Sequence, residues 1–170
     1  MTDVVDKATR SRMMAGIRGK NTKPEMIVRK ALHAQGFRFR LHVKDLPGKP
    51  DILLPKYKAA IFIHGCFWHG HDCAYFKVPK TRTDFWVVKI AQNKQRDNQQ
   101  IEELSRLGWR TLIIWECAIR KATDAMSIVL SDLISSWILS DVTNAQIDMN
   151  SFEATGTDNA GFVAQITPGY

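Results

Sequence analysis

The sequence has too few cysteines for a disulfide framework, no apolar run long enough for a membrane span, and no internal repeat. Its three cysteines in 170 residues cannot pair off among themselves, so the thiols point to metal, catalysis or plain burial. No apolar run approaches the roughly 20 residues that a membrane-crossing helix needs. The opening Met1-Thr2-Asp3 is polar and leads into no hydrophobic stretch, which predicts no secretory leader and a cytoplasmic protein without membrane contact. Wholesale disorder is excluded as well, because 45% of residues are hydrophobic and 24% charged, the balance of an ordinary globular domain. The length suits one such domain.

Acidic residues are scarce wherever bases are dense. Residues 7–30 hold eight lysines and arginines against Glu25 alone, and residues 77–96 hold six against Asp84. Residues 141–170 reverse this, with four acids and no base. The net charge of +7 and the two concentrated patches suit a polyanion, since each neutralised phosphate releases counterions. A merely solvated basic surface is the plainer alternative.

Periodicity predicts a mixed α/β domain in the order α-α-β-β-β-α-β-α, one sheet between helices. A basic stretch, Lys7–Lys20, aligns Met13, Met14 and Ile17 as a modest helix. Thr22-Lys-Pro-Glu25 is a helix start, with a capping hydroxyl, a carboxylate three residues on and proline in the first turn. That helix stops at Gly36. Phe37–His42, Asp51–Leu54 and Ala59–Ile63 read as strands, and Thr83–Leu107 as a long amphipathic helix. Trp109–Trp115 reads as a buried strand and Asp124–Leu139 as a final helix. The expected division is a basic arm over 1–20, a main domain over 21–140 and a poorly ordered acidic tail over 141–170.

The loop from His64 to Arg82 concentrates the chemistry. His64-Gly-Cys66-Phe-Trp-His69-Gly-His71-Asp-Cys73 holds three histidines, two cysteines and a carboxylate. With Cys117, the residues Cys66, His71 and Cys73 form a Cys3His set, the donors that tetrahedral Zn2+ prefers; four protein ligands leave no open position, so such a zinc is structural. Small buried thiols beside an ordinary histidine are the alternative. Phe67 and Trp68, with Trp86 further on, read either as one core and one surface aromatic or as wedges that enter a base stack. Asp51 opens a buried strand, where a carboxylate suits Mg2+, although turn chemistry also explains a Pro-Asp pair. His64 and His69 lie where the next strand ends, and imidazoles there can move protons near neutral pH.

These blocks together resemble the very short patch repair endonucleases, bacterial enzymes that nick DNA beside T:G mismatches left by deamination of 5-methylcytosine. The resemblance rests on Asp6-Lys-Ala-Thr-Arg-Ser11, Leu46-Pro-Gly-Lys-Pro-Asp51, Ile61-Phe-Ile-His-Gly-Cys-Phe-Trp-His69, Phe76-Lys-Val-Pro79, Thr81-Arg-Thr-Asp-Phe-Trp86, Gly108-Trp-Arg110 and Trp115-Glu-Cys117. It runs from about residue 3 to 139 and leaves only the tail outside. It implies a restriction-endonuclease-like fold of the PD-(D/E)XK type with a structural zinc. Asp51 then matches the magnesium-binding aspartate, aided by the Ile63 backbone carbonyl; His64, His69 and Glu25 match active-site residues, His69 as water activator. Cys66, His71, Cys73 and Cys117 match the zinc ligands. Phe67, Trp68 and Trp86 match the aromatics that wedge into DNA, with Met14, Lys89 and Asn93 as further DNA contacts. The implied partner is duplex DNA with a T:G mismatch, acted on by a monomer alongside mismatch-repair proteins and a DNA polymerase.

Two departures stand out. Restriction-like nucleases usually carry Glu-x-Lys on the strand after the aspartate, where this chain has Phe62-Ile63-His64. At position 63 the family pattern suggests threonine; isoleucine is harmless if the backbone carbonyl is the ligand and costs a ligand if the hydroxyl is. Lys89, Asn93 and Asp97 recur on successive helical turns and suit base contacts, support of a histidine, or a solvated face. Two other functions remain open on the residues: a zinc-stabilised, non-catalytic binder of distorted DNA, and an ordinary restriction-type nuclease.

Overall fold

The computed structural model describes residues 6–16, 20–122, 124–152 and 167–168. Ile17 and the side chains of Met13 and Met14 lie outside the described residues, and so does the predicted Met14 contact.

The first helix, α1 (Lys7–Ala15), starts at Asp6, whose carboxylate accepts the Thr9 N–H and hydroxyl, each at 2.8 Å. Helix α2 (Lys23–Ala34) begins with the predicted capping box, the Thr22 and Glu25 side chains each accepting the other's backbone N–H. Its apolar stripe buries Val28 and Leu32 completely. After Gly36 come β1 (Arg40–Leu41) and β2 (Ile52–Leu54). Lys58, at φ 49°, then turns the chain into β3 (Ala59–His64). The crossover helix α3 (Thr83–Arg106) leads to β4 (Arg110–Trp115), and α4 (Glu116–Lys121) and α5 (Asp124–Leu139) follow. Strands β5 (Asn144–Ile147) and β6 (Thr167–Pro168) close the order.

The six strands form one sheet in sequence order. β1, β2 and β3 are antiparallel neighbours, β3, β4 and β5 are parallel, and β6 returns antiparallel. Strand alternation divides the core between the two faces. Ile52, Leu54, Ile61, Leu112 and Ile114 pack with α2 and α5, where Trp137 is fully buried. Leu53, Ala60 and Phe62 pack on Leu104 of α3. Arg110 ties the sheet to the end of α5, its guanidinium donating to the carbonyls of Tyr57, Trp137, Ile138, Ser140 and Val142 at 2.7–3.4 Å. Among the described residues no helix is long and apolar enough to cross a membrane.

Three expectations need correction. The strand expected over 37–42 shrinks to Arg40–Leu41, because Phe37 turns into the core as the chain leaves α2 while Leu41 is 42% exposed at the sheet edge. Helix α4 interposes directly after β4. The poorly ordered tail expected from 141 is, over 144–152, a parallel strand and a 3-10 turn. Within β5 only Ala145 and Ile147 are buried, and they alternate with Asn144 and Gln146. Two buried residues in a polar run give a weak strand signal, and β4 supplies the missing half of the pairing.

Candidate active site

Two strand ends and a face of α3 meet at a cleft of about 630 Å³ lined by Glu25, Lys49, Asp51, His64, His69 and Arg96 among others. Asp51 stands one residue before β2, and its Oδ2 accepts the Ile63 N–H at 2.8 Å, across from the end of β3. Burial, helped by repulsion from Glu25, pushes the Asp51 carboxyl above the ordinary aspartate range; the Ile63 N–H, His42 and Arg29 pull it back only in part.

Alternation that sends Ala60 and Phe62 toward α3 sends His64 the same way. His69, from the following loop, lies flat on it, with ring centroids 3.7 Å apart and planes 6° from parallel. α3 supplies the third member: Asp97 Oδ2 accepts from His69 Nδ1 at 2.5 Å. That bond occupies Nδ1 and leaves Nε2 as the nitrogen available for a proton. Burial, and then the adjacent His69, hold His64 well below the usual histidine range, so it is uncharged at neutral pH, and its Nδ1 has no hydrogen-bond partner among the described residues.

Glu25 is buried at the edge of this cleft. Its oxygens accept from the Asn21 and Thr22 N–H groups, the Thr22 hydroxyl and the Arg29 guanidinium, the last at 2.5 Å. Arg29 also donates to His42 Nε2 at 2.9 Å. Ligand-type atoms of Glu25, His42 and Asp51 lie within 4.8 Å of one another.

A second cluster sits beyond Trp115. Cys66, His71, Cys73 and Cys117 bring their ligand atoms within 4.8 Å of one another, the four residues expected from the sequence. Cys66 and Cys117 are buried. The Cys117 thiol and burial push Cys66 up to about 12, while the same contact lowers Cys117. Trp115 separates the two groups of imidazoles, stacking on His71 at 4.2 Å and meeting His64 edge-on at 5.5 Å.

The aromatics form one group at the mouth. Phe67, Trp68 and Trp86 contact one another edge to face, with centroids 5.1–6.0 Å apart, and all three are half-buried. Asn93 donates from Nδ2 to the Trp68 carbonyl at 2.8 Å, so it braces this loop. Lys89 lies one turn earlier on α3, half-buried.

The chain as a whole is similar to known proteins. A family model described as DNA mismatch endonuclease Vsr matches residues 2–75. The chain is 46% identical over 148 residues to DNA mismatch endonuclease Vsr of Escherichia coli (strain K12), covering 87% of this chain and 95% of that protein. It is 47% identical to the type II nicking enzyme V.XorIIP of Xanthomonas oryzae pv. oryzae, over 70% of this chain and 88% of the relative. For V.NmeAIP of Neisseria meningitidis the figures are 48%, 71% and 86%.

The chain belongs to the Vsr family of DNA mismatch endonucleases. It is accordingly an endonuclease that nicks DNA, on a mixed α/β sheet flanked by helices. Two residues of this Vsr chain carry more of the site than their sequence signal suggested. Asp97 was one of three polar positions on a helix face, and its partner is 28 residues away. Arg29 read as part of a basic patch, yet it is 7% exposed and paired to Glu25. In both cases only the fold names the partner.

Proposed function

We propose that this endonuclease cuts one strand of duplex DNA 5′ to the thymine of a T:G mismatch, a step in very short patch repair, with Mg2+ at Asp51 and Zn2+ at the Cys3His cluster. The observation that carries the reading is the His64–His69 stack with His69 tied to Asp97, facing a charge-strained Asp51 in the same cleft. A pure binder of distorted DNA has no use for that convergence.

The donor sets fit the metals. Asp51 is an ionisable carboxylate that burial and Glu25 disfavour, which a divalent cation relieves. The Ile63 carbonyl points to the same side of β3 as its N–H, which bonds Asp51. A backbone carbonyl serves there whatever the side chain, so isoleucine at 63 is compatible with the site. Magnesium held by hard oxygens supplies Lewis-acid polarisation of a phosphate. Three thiols and an imidazole suit zinc, which would cross-link the loop after β3 to Cys117 in the first turn of α4.

His69 takes the proton of the attacking water at Nε2, and Asp97 fixes the tautomer and steadies the imidazolium. Water oxygen bonds to phosphorus in line, the P–O3′ bond breaks, O3′ takes up a proton from solvent, and the strand ends in a 3′-hydroxyl and a 5′-phosphate, the His69 proton returning to solvent afterwards. The 3′-hydroxyl is the end a DNA polymerase extends. His64, uncharged, meets the phosphate or leaving oxygen as a hydrogen-bond donor. Glu25, locked by Arg29 and Thr22, is held ready at the carboxylate side of the cleft. Phe67, Trp68 and Trp86 enter beside the mismatch, where unstacking is cheapest, and Lys89 and Asn93 flank them on α3.

A nicking assay tests this. Two end-labelled duplexes, identical but for T:G or C:G at the centre of a cytosine-methylation site, are incubated with Mg2+ or with EDTA. A nick in the T strand alone, and only with Mg2+, is expected. Cleavage of both duplexes alike would make the protein a restriction nuclease, and binding without a nick across several flanking sequences would make it a silent binder.

A further inference from the structure

The segment that follows α5 reaches back to the Cys3His cluster. β5 lies parallel to β4, with Ile114 opposite Ile147, so the next residue, Asp148, arrives beside Trp115 and Cys117. Its Oδ2 stands 3.6 Å from His71 Nε2. The other ring nitrogen, Nδ1, faces Cys117 Sγ, also at 3.6 Å. The imidazole therefore turns one nitrogen to the thiols and the other to a carboxylate. The ring plane is set by the same segment, since Gln146 Oε1 accepts from Trp115 Nε1 at 2.9 Å and that indole stacks on His71.

Asp148 is itself held in place. Its Oδ1 accepts the Asn150 and Ser151 N–H groups and the Ser151 hydroxyl at 2.9–3.2 Å, and its own N–H donates to Ser151 Oγ at 3.1 Å. Lys121 donates to the Met149 carbonyl at 3.1 Å, and Met149 packs on the Cys66 and Cys117 cluster. With Oδ1 engaged in the turn, Oδ2 is aimed at the histidine.

We propose that Asp148 is a positioning residue of the zinc centre, accepting the Nε2–H of His71 and so fixing Nδ1 as the nitrogen that ligates the metal. The inference rests on the reading of the cluster as a zinc site. A metal-ligating histidine whose other nitrogen faces a carboxylate is held in one tautomer and made more basic. In this chain the carboxylate comes from beyond residue 140, so the centre is complete only when β5 is in the sheet.

The test uses the full chain as wild type, Asp148→Ala, Asp148→Asn and Ser151→Ala. Zinc content is measured first, then transfer of zinc to a chelating dye, then long-range 1H–15N spectra of the histidine rings. Expected are one zinc per wild-type chain, a loss of affinity of about 10–100-fold in Asp148→Ala, and His71 ligating through Nδ1 with a proton on Nε2. Asp148→Asn keeps an acceptor for the turn and drops the charge, so it falls between wild type and alanine. Ser151→Ala removes one hydroxyl from the turn but leaves the Asn150 and Ser151 N–H groups on Asp148 Oδ1 and does not touch His71, so it loses clearly less zinc affinity than Asp148→Ala. Equal affinity in wild type and Asp148→Ala, an equal loss in Ser151→Ala, or ligation through Nε2 each overturns the proposal while the zinc stands. A wild-type chain without zinc removes the zinc reading and this inference together.

Discussion

On one side of Trp115 three thiols and an imidazole close on one another; on the other, a carboxylate and two imidazoles face an open cleft. The first group is enclosed by its neighbours, with two of its cysteines buried and Met149 and Asp148 over it. The second is left strained, with Asp51 disfavoured as an anion by burial and His64 buried with a nitrogen that finds no hydrogen-bond partner among the described residues. Closed donor sets secure a fold, whereas groups held short of their preferred partners keep binding energy available for substrate and cation.

The comparison breaks most visibly at Cys73. On the zinc reading of the cluster, a structural zinc contributes about 10 kcal/mol or more to folding, so Cys73→Ser is expected to bind less metal than wild type and to lower Tm by more than ~10 °C, read by elemental analysis and calorimetry. Because Cys66 is pushed up to about 12, metal uptake at neutral pH releases protons and affinity falls as pH falls, which titration in buffers of different ionisation enthalpy detects. Unchanged metal content in Cys73→Ser would put the cluster on the inert side.

At Asp51 the expected effects on activity and stability have opposite signs. Loss of the carboxylate in Asp51→Asn should cut nicking ~10³-fold or more, the loss of several kcal/mol of metal-derived stabilisation, with mismatch binding kept. Its raised pKa means that the folded state holds the proton more tightly than the unfolded chain, so stability declines as pH rises from the ordinary carboxylate range through the folded value. Removing the charge then raises Tm at neutral pH, about 2–4 °C for each kcal/mol. A fall in Tm like that of Cys73→Ser would mean that Asp51 holds the fold.

Smaller effects sharpen the contrast. Asp97→Asn should lower the nicking rate by ~10²-fold, since it removes the group that orients the base, and leave duplex affinity unchanged; an equal loss of affinity would relocate Asp97 to binding. Trp68→Ala should weaken binding to mismatched duplex ~10-fold, the scale of one lost base–aromatic contact, measured by anisotropy. Equal weakening on intact duplex would remove the wedge.

Local signals were readable where chemistry acts over a few residues. Thr22 and Glu25 are three apart and close their own capping box, and Cys66, His71 and Cys73 share one loop, so the cluster needed only Cys117 from afar. What was hidden is non-local. His69 finds Asp97, and His71 finds Asp148, only because α3 and β5 flank the strands that carry the loop. β5 itself has two apolar residues, too few to stand out from the polar run around them.

That weak strand has a consequence for keeping the protein monodisperse. β4 reads Arg-Thr-Leu-Ile-Ile-Trp and is buried from Thr111 to Trp115, with β5 covering its outer edge. A chain cut at 140 would present that edge as a bare ladder of backbone donors and acceptors, β-branched and free of charge after Arg110. Such an edge recruits copies of itself, so shortening the acidic end should convert a well-behaved enzyme into one that aggregates.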